Sequence, residues 1–164
     1  MRLYRIHNRP NSIGELTFIR DLPSLELAVH HAGLAIDGRP KRFSHQCLIP
    51  NAALNRAKKL LTAAAAQLKA CRTFHDLHSL LADMFKPVHG LGELYIYDTA
   101  LRLGAFLKLR PRYVYLHRGT RTGARALGLD VSRGYLDVAS LPKPIQALEP
   151  HEIEDFLCIY KDRF

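Results

Sequence analysis

The 164-residue chain has only three cysteines, Cys47, Cys71 and Cys158, an odd number with no Cys-x-x-Cys pair. That excludes a disulfide framework and argues against a cysteine-built zinc site, and a reducing compartment is the default. No stretch approaches the roughly 18 uncharged apolar residues of a membrane span. The opening MRLYRIHNRPNS lacks the apolar core and small-residue cleavage site of a secretion signal. The expectation is a soluble cytoplasmic protein with no membrane partner. Internal repeats and low-complexity linkers are also missing, which sets aside solenoids and disordered tails. With 48% hydrophobic and 24% charged residues, the composition is globular.

Acidic residues are absent from two long segments. Between Gly38 and His75 stand eight Lys or Arg and no acid, and between Thr99 and Leu129 seven and none. Five acids gather between Glu149 and Asp162, while the whole chain carries a formal charge of +9. Charge segregated in this way gives a basic face that attracts a polyanion, chiefly through phosphates. It does not by itself select DNA over RNA. No obligate protein partner is evident.

The apolar spacing is helical nearly throughout and predicts an all-α fold, one helical domain over residues 1–164. Residues 1–20 are ambiguous, with Leu16–Ile19 readable as a short strand. Ser24 is placed to cap a helix running to about Ile36. A basic loop containing Lys41 and Arg42 follows, and Asn51 then caps the longest helix, to about Cys71. Thr73 with Asp76 three residues on has the pattern of a capping box, opening a helix to Phe85. Further helices are expected from about Glu93 to Leu107, Arg118 to Leu127 and Pro150 to Lys161.

Between two of these helices lies KPVHGLG. Gly90 and Gly92 can take positive φ and let backbone approach a partner closely. The next helix begins with unpaired N–H groups and a positive dipole end, a natural phosphate site. The order Gly90-Leu91-Gly92, apolar helix, Val114-Tyr115-Leu116-His117, then a helix ending Ala126-Leu127-Gly128 resembles the helix-hairpin-helix superfamily of DNA glycosylases. The resemblance covers about residues 74–129. It implies a duplex-DNA-binding protein that extrudes a base and cleaves its N-glycosidic bond. Two departures matter: Leu94 stands where bifunctional members carry a lysine, and Tyr115 where the family carries its aspartate. A Schiff-base lyase step is therefore not implied, and the activity expected is that of a monofunctional hydrolase. The alternative is a non-catalytic DNA-binding or architectural module that has lost the chemistry.

With the family's acid gone, Asp98 is the candidate catalytic carboxylate, i,i+4 from Arg102, and Tyr97, adjacent and placed to stack a base, and His117 are further catalytic candidates. DNA contacts are assigned to Gly90, Leu91, Gly92, Arg102, Arg118, Thr120, Arg121, Arg125, Lys41 and Arg42. His31, His45, Gln46 and Tyr115 are the base-recognition candidates. The nine histidines include no HExxH and no three-ligand spacing, so neither metal nor cofactor is expected. Gly119-Thr120-Arg121-Thr122-Gly123 lacks the lysine of a nucleotide-hydrolysing loop.

The charge pattern predicts that duplex DNA binds with log affinity falling against log salt by about 0.9 per phosphate contact. Replacing Arg118 and Arg121 together with Ala weakens binding and flattens that slope. A slope unchanged in the double variant would remove their helix from the interface.

Overall fold

The computed structural model describes residues 2–39 and 41–164. Among them the fold is all-α, with nine α-helices and a single two-stranded sheet. Where the sequence suggests one domain, chain contacts sort into two compact units. One is built from residues up to Ser12 together with Pro111–Phe164, the other from Ile13–Arg110.

The unit Ile13–Arg110 holds most of α2 (Arg9–Arg20), then α3 (Leu25–Leu34), α4 (Asn51–Ala63), α5 (Ala65–Ala70), α6 (Phe74–Phe85) and α7 (Glu93–Leu107). Leu16–Ile19 lies inside α2 and is helix, not strand. Ser24 caps α3 as expected, its hydroxyl accepting from the Leu27 N–H. The helix ends two residues before the expected Ile36, because Ala35 turns left-handed at φ 54°. Ile36 instead forms a β-bridge with Arg42 that closes the intervening basic loop. On α3, Gly33 lets α4 pack close, since a Cβ there would sit 3.0 Å from the Lys58 Cα. Its carbonyl accepts from the Tyr95 hydroxyl at 2.7 Å, which ties α7 to α3.

Pro50, not Asn51, is the N-cap of α4. Asn51 is the first helical residue, and its side chain accepts from Arg42. The expected long helix is broken at Ala64. Two residues earlier the Thr62 hydroxyl donates to the Lys58 carbonyl at 2.9 Å, a back-bond of the kind that bends helices. The Thr73–Asp76 capping box is present, with each side chain accepting from the other's backbone N–H. It opens α6, which buries Phe74, Leu77, Leu81 and Phe85. In the connection to α7 only Gly90 takes a left-handed φ, at +93°; Gly92 is extended and serves as the N-cap.

The other unit contains α1 (Arg2–His7), the start of α2, α8 (Arg118–Ala126) and α9 (Pro150–Ile159). The sheet also lies here, with β1 (Val114–Tyr115) antiparallel to β2 (Tyr135–Leu136) and Val114 opposite Leu136. Its core joins Tyr4, Val114, Leu116, Ala124, Leu136, Ile153, Phe156 and Leu157. The Tyr4 hydroxyl donates to Asp155, and Arg9 pairs with Glu152, so two of the acids of α9 are engaged by the N-terminal helices. Gly128, at φ +72°, stops α8 as its place in the sequence suggests. The last helix ends at Ile159, short of the expected Lys161.

Gly119 and Gly123 bring α8 against α9. A Cβ on Gly123 would overlap the Leu157 carbonyl. Gly123→Ala is therefore expected to lower unfolding stability by about 1–3 kcal/mol through overpacking, against the gain that Ala normally brings inside a helix. Urea denaturation reads the difference. A stabilised variant would show that the two helices have room to separate.

Candidate functional site

The Ile13–Arg110 unit carries a connected polar cluster centred on Arg102 and Asp98 of α7. Arg102 is 1% exposed. Its Nε donates to Glu15 Oε1 at 2.5 Å, and one terminal nitrogen donates to Gln46 Oε1 at 3.0 Å. The guanidinium lies 4.0 Å from the centroid of the Phe43 ring, a cation–π contact. Asp98, one turn earlier on the same helix, has its Oδ2 4.0 Å from the Arg102 guanidinium. The same oxygen accepts from Gln46 Nε2 at 2.7 Å and meets His45 Nε2 at 2.8 Å.

A short 3-10 turn, Ser44–Gln46, delivers both of these partners. The turn is fixed by Arg42, whose guanidinium donates to the carbonyls of Cys47 and Ile49 and to Asn51. Gln46 is buried, whereas the His45 side chain is 46% exposed and stacks on Phe43. The hydrogen bond to Asp98 raises the His45 pKa, outweighing the burial that would lower it. The arrangement is an imidazole–carboxylate pair with the imidazole toward solvent and the carboxylate backed by a buried cation. Chemically it can exchange a proton and present negative charge at a fixed place.

Several expected roles change here. Arg102 is buried on Glu15 and Gln46 and does not present to phosphate. Tyr97 is buried edge-on to Phe74, and Tyr115 is buried in β1 beside Tyr135, so neither ring face is open to a base. Among the assigned DNA contacts, Arg42 has its guanidinium committed to the loop, while Lys41 is exposed. His31 is half-buried, its Nδ1 at 3.3 Å from the Ile36 carbonyl and its ring edge-on to Phe18. Gly90 packs near Pro50 and Ala53, Leu91 is half-buried, and Gly92 has open space where a Cβ would point.

His117 and Thr120 belong to the other unit, both buried. His117 caps α8, its Nδ1 accepting from the Gly119 N–H at 3.2 Å. Its Nε2 meets Glu154, to which the Thr120 hydroxyl also donates at 2.8 Å. Burial alone would push the imidazole pKa down, but hydrogen bonds to Cys158 and Glu154 outweigh it and raise the value. Arg121 is half-buried and donates to the Leu116 carbonyl, leaving Arg118 and Arg125 as the exposed arginines of α8.

Glu15 and Glu154 are the site residues that sequence reasoning missed. A helical reading of residues 9–20 would have turned Glu15 into a candidate partner, while Glu154 lies 37 residues from its partner His117. No family model matches this chain, and neither does any curated protein or solved structure.

The His45–Asp98 pair predicts a pH effect with a definite sign. A histidine whose folded-state pKa is raised adds stability that is full below its ordinary value, 6.5, and lost as pH climbs through the raised value. Asp98→Asn should bring the His45 midpoint down, read by NMR titration of the imidazole protons. An unmoved midpoint would mean that the pair does not form in solution.

Proposed function

We propose that this protein binds duplex DNA and acts as a monofunctional base-excision glycosylase, with Asp98 as its catalytic carboxylate. The observation that carries the reading is the fixed position of Asp98. Gln46 and His45 hold its Oδ2 and buried Arg102 stands behind it. Asp98 lies about 8 Å along α7 from the glycine turn at the helix start. Cleaving an N-glycosidic bond builds positive charge on the sugar, which a pre-positioned carboxylate stabilises. Leu94 offers no amine for covalent attack, so water is the nucleophile, and His45 is placed to pass its proton.

Phosphate contact in the Ile13–Arg110 unit falls to exposed Lys41 and to the backbone N–H groups at the start of α7; in the other unit the exposed arginines of α8 are Arg118 and Arg125. With Tyr97 buried and Phe43 covered by the Arg102 guanidinium, the aromatic ring left beside Asp98 is that of His45. Binding without chemistry is the second reading, and one observation favours it. Tyr115 replaces the acid that the resemblance calls for, and its side chain is buried in the β pair.

Incubation with duplexes carrying deaminated, alkylated or oxidised bases separates the two. The expected outcome is free base and an abasic site from the wild type, with Asp98→Asn slower by about 100-fold or more at unchanged DNA affinity. Full base release by Asp98→Asn would remove the carboxylate from the chemistry. DNA binding with no release from any of these substrates would establish the binding module instead.

A further inference from the structure

The contact between α8 and α9 gathers a second set of chemically capable side chains, none of them part of the Asp98 cluster. Glu154 and Cys158 are i,i+4 on α9 and so share a face of that helix. His117 sits at the N-cap of α8. One imidazole nitrogen, one carboxylate oxygen and one sulfur from these three residues all lie within 4.8 Å of one another. Glycine makes this convergence possible, since a Cβ at Gly119 would stand only 2.6 Å from the Cys158 Sγ. The remaining acids in the body of the helix are directed elsewhere, Glu152 to Arg9 and Asp155 to Tyr4.

We propose that His117, Glu154 and Cys158 form a binding site for a divalent transition-metal ion of the zinc class. Imidazole, thiolate and carboxylate are the three side-chain donors zinc takes, and a thiol disfavours calcium and magnesium, which want several oxygens. Zinc–ligand lengths of about 2.0–2.3 Å in a tetrahedron space the donors roughly 3.3–3.7 Å apart. From 4.8 Å at most, side-chain adjustments on the order of 1 Å complete that geometry. Two ligands one turn apart on a helix, with a third from a neighbouring helix end, give a semi-rigid frame. The Thr120 hydroxyl, donating to Glu154 Oε1 at 2.8 Å, orients the carboxylate as an outer-shell partner. Three protein ligands leave a fourth position for water, and the half-buried Cys158 provides the approach from solvent. Binding displaces protons from the imidazole and the thiol. The sequence conceals such a site because His117 lies 37 residues before Glu154.

The test uses the full chain, reduced and stripped with a chelator. Zinc is titrated against a chromophoric competitor, and cobalt(II) is added separately to look for thiolate-to-cobalt charge-transfer absorption. One zinc per chain and a charge-transfer band are expected. Cys158→Ser should abolish the band and weaken zinc binding by at least the roughly tenfold that losing even an outer partner costs. Glu154→Gln should weaken zinc as well, and Cys47→Ser should change neither reading. Wild-type protein that takes up no stoichiometric zinc would overturn the proposal whatever the variants do. A band surviving in Cys158→Ser would assign the ion to another cysteine, and zinc affinity indifferent to both Cys158→Ser and Glu154→Gln would assign it to other side chains; either result overturns the proposal.

Discussion

A guanidinium taken out of water must have its charge and its N–H groups answered by the protein, and that demand on Arg102 organises the Ile13–Arg110 unit. The side chain is almost fully buried, and its partners come from far apart in sequence, Glu15 at 87 residues and Gln46 at 56. Leaving such a charge without its partner costs about 3–5 kcal/mol, more than most single contacts contribute. The basic loop and α2 are therefore fastened to α7 by one cation. Phe43 closes the cluster over the flat face of the guanidinium, where no hydrogen bond can form.

The same demand fixes the polarity of everything around it. Arginine only donates and a carboxylate only accepts, so Gln46, lying between Arg102 and Asp98, has one permitted orientation. Its Oε1 faces the guanidinium and its Nε2 faces the carboxylate. His45 must then use a protonated Nε2 toward Asp98, which leaves Nδ1 as the nitrogen whose protonation changes with pH. A network that exists to satisfy a buried charge thus also sets the direction in which the outer histidine can move a proton.

Local chemistry was the legible part of the chain. Ser24, the Thr73–Asp76 box and Gly128 mark helix ends because each satisfies or redirects backbone within a few residues of itself. The all-α class followed from apolar spacing, and Asp98, His45 and Gln46 were each visible as polar groups without an obvious structural duty. What the sequence concealed was long-range. That His45 and Gln46 both reach Asp98 depends on a turn held by Arg42, and that Arg102 is inside depends on Glu15. A charged residue on a helix reads as surface until its partner is known. The break at Ala64 interrupts a strongly helix-favouring run, where propensity argues for continuation. The β pair has two residues per strand, too few to establish an alternating pattern.

Each unit contains a histidine joined to a carboxylate, and their surroundings give the two pairs different capacities. His45 keeps nearly half its side chain in solvent, so protons can pass between it and an outside molecule while Asp98 stays fixed behind it. His117 is 4% exposed, and Glu154 is buried with it. A buried imidazole and carboxylate are poorly placed to pass protons to an outside molecule, but donors in such low-dielectric surroundings suit a bound cation, because the attraction between ion and ligands is stronger there. The sulfur of Cys158 strengthens the contrast, since the Asp98 cluster contains only nitrogen and oxygen groups and one of them is a cation. A fixed positive charge at Arg102 repels a metal ion. The motif is shared, and the presence of that guanidinium in one cluster and of the thiol in the other separates acid–base chemistry from ion binding.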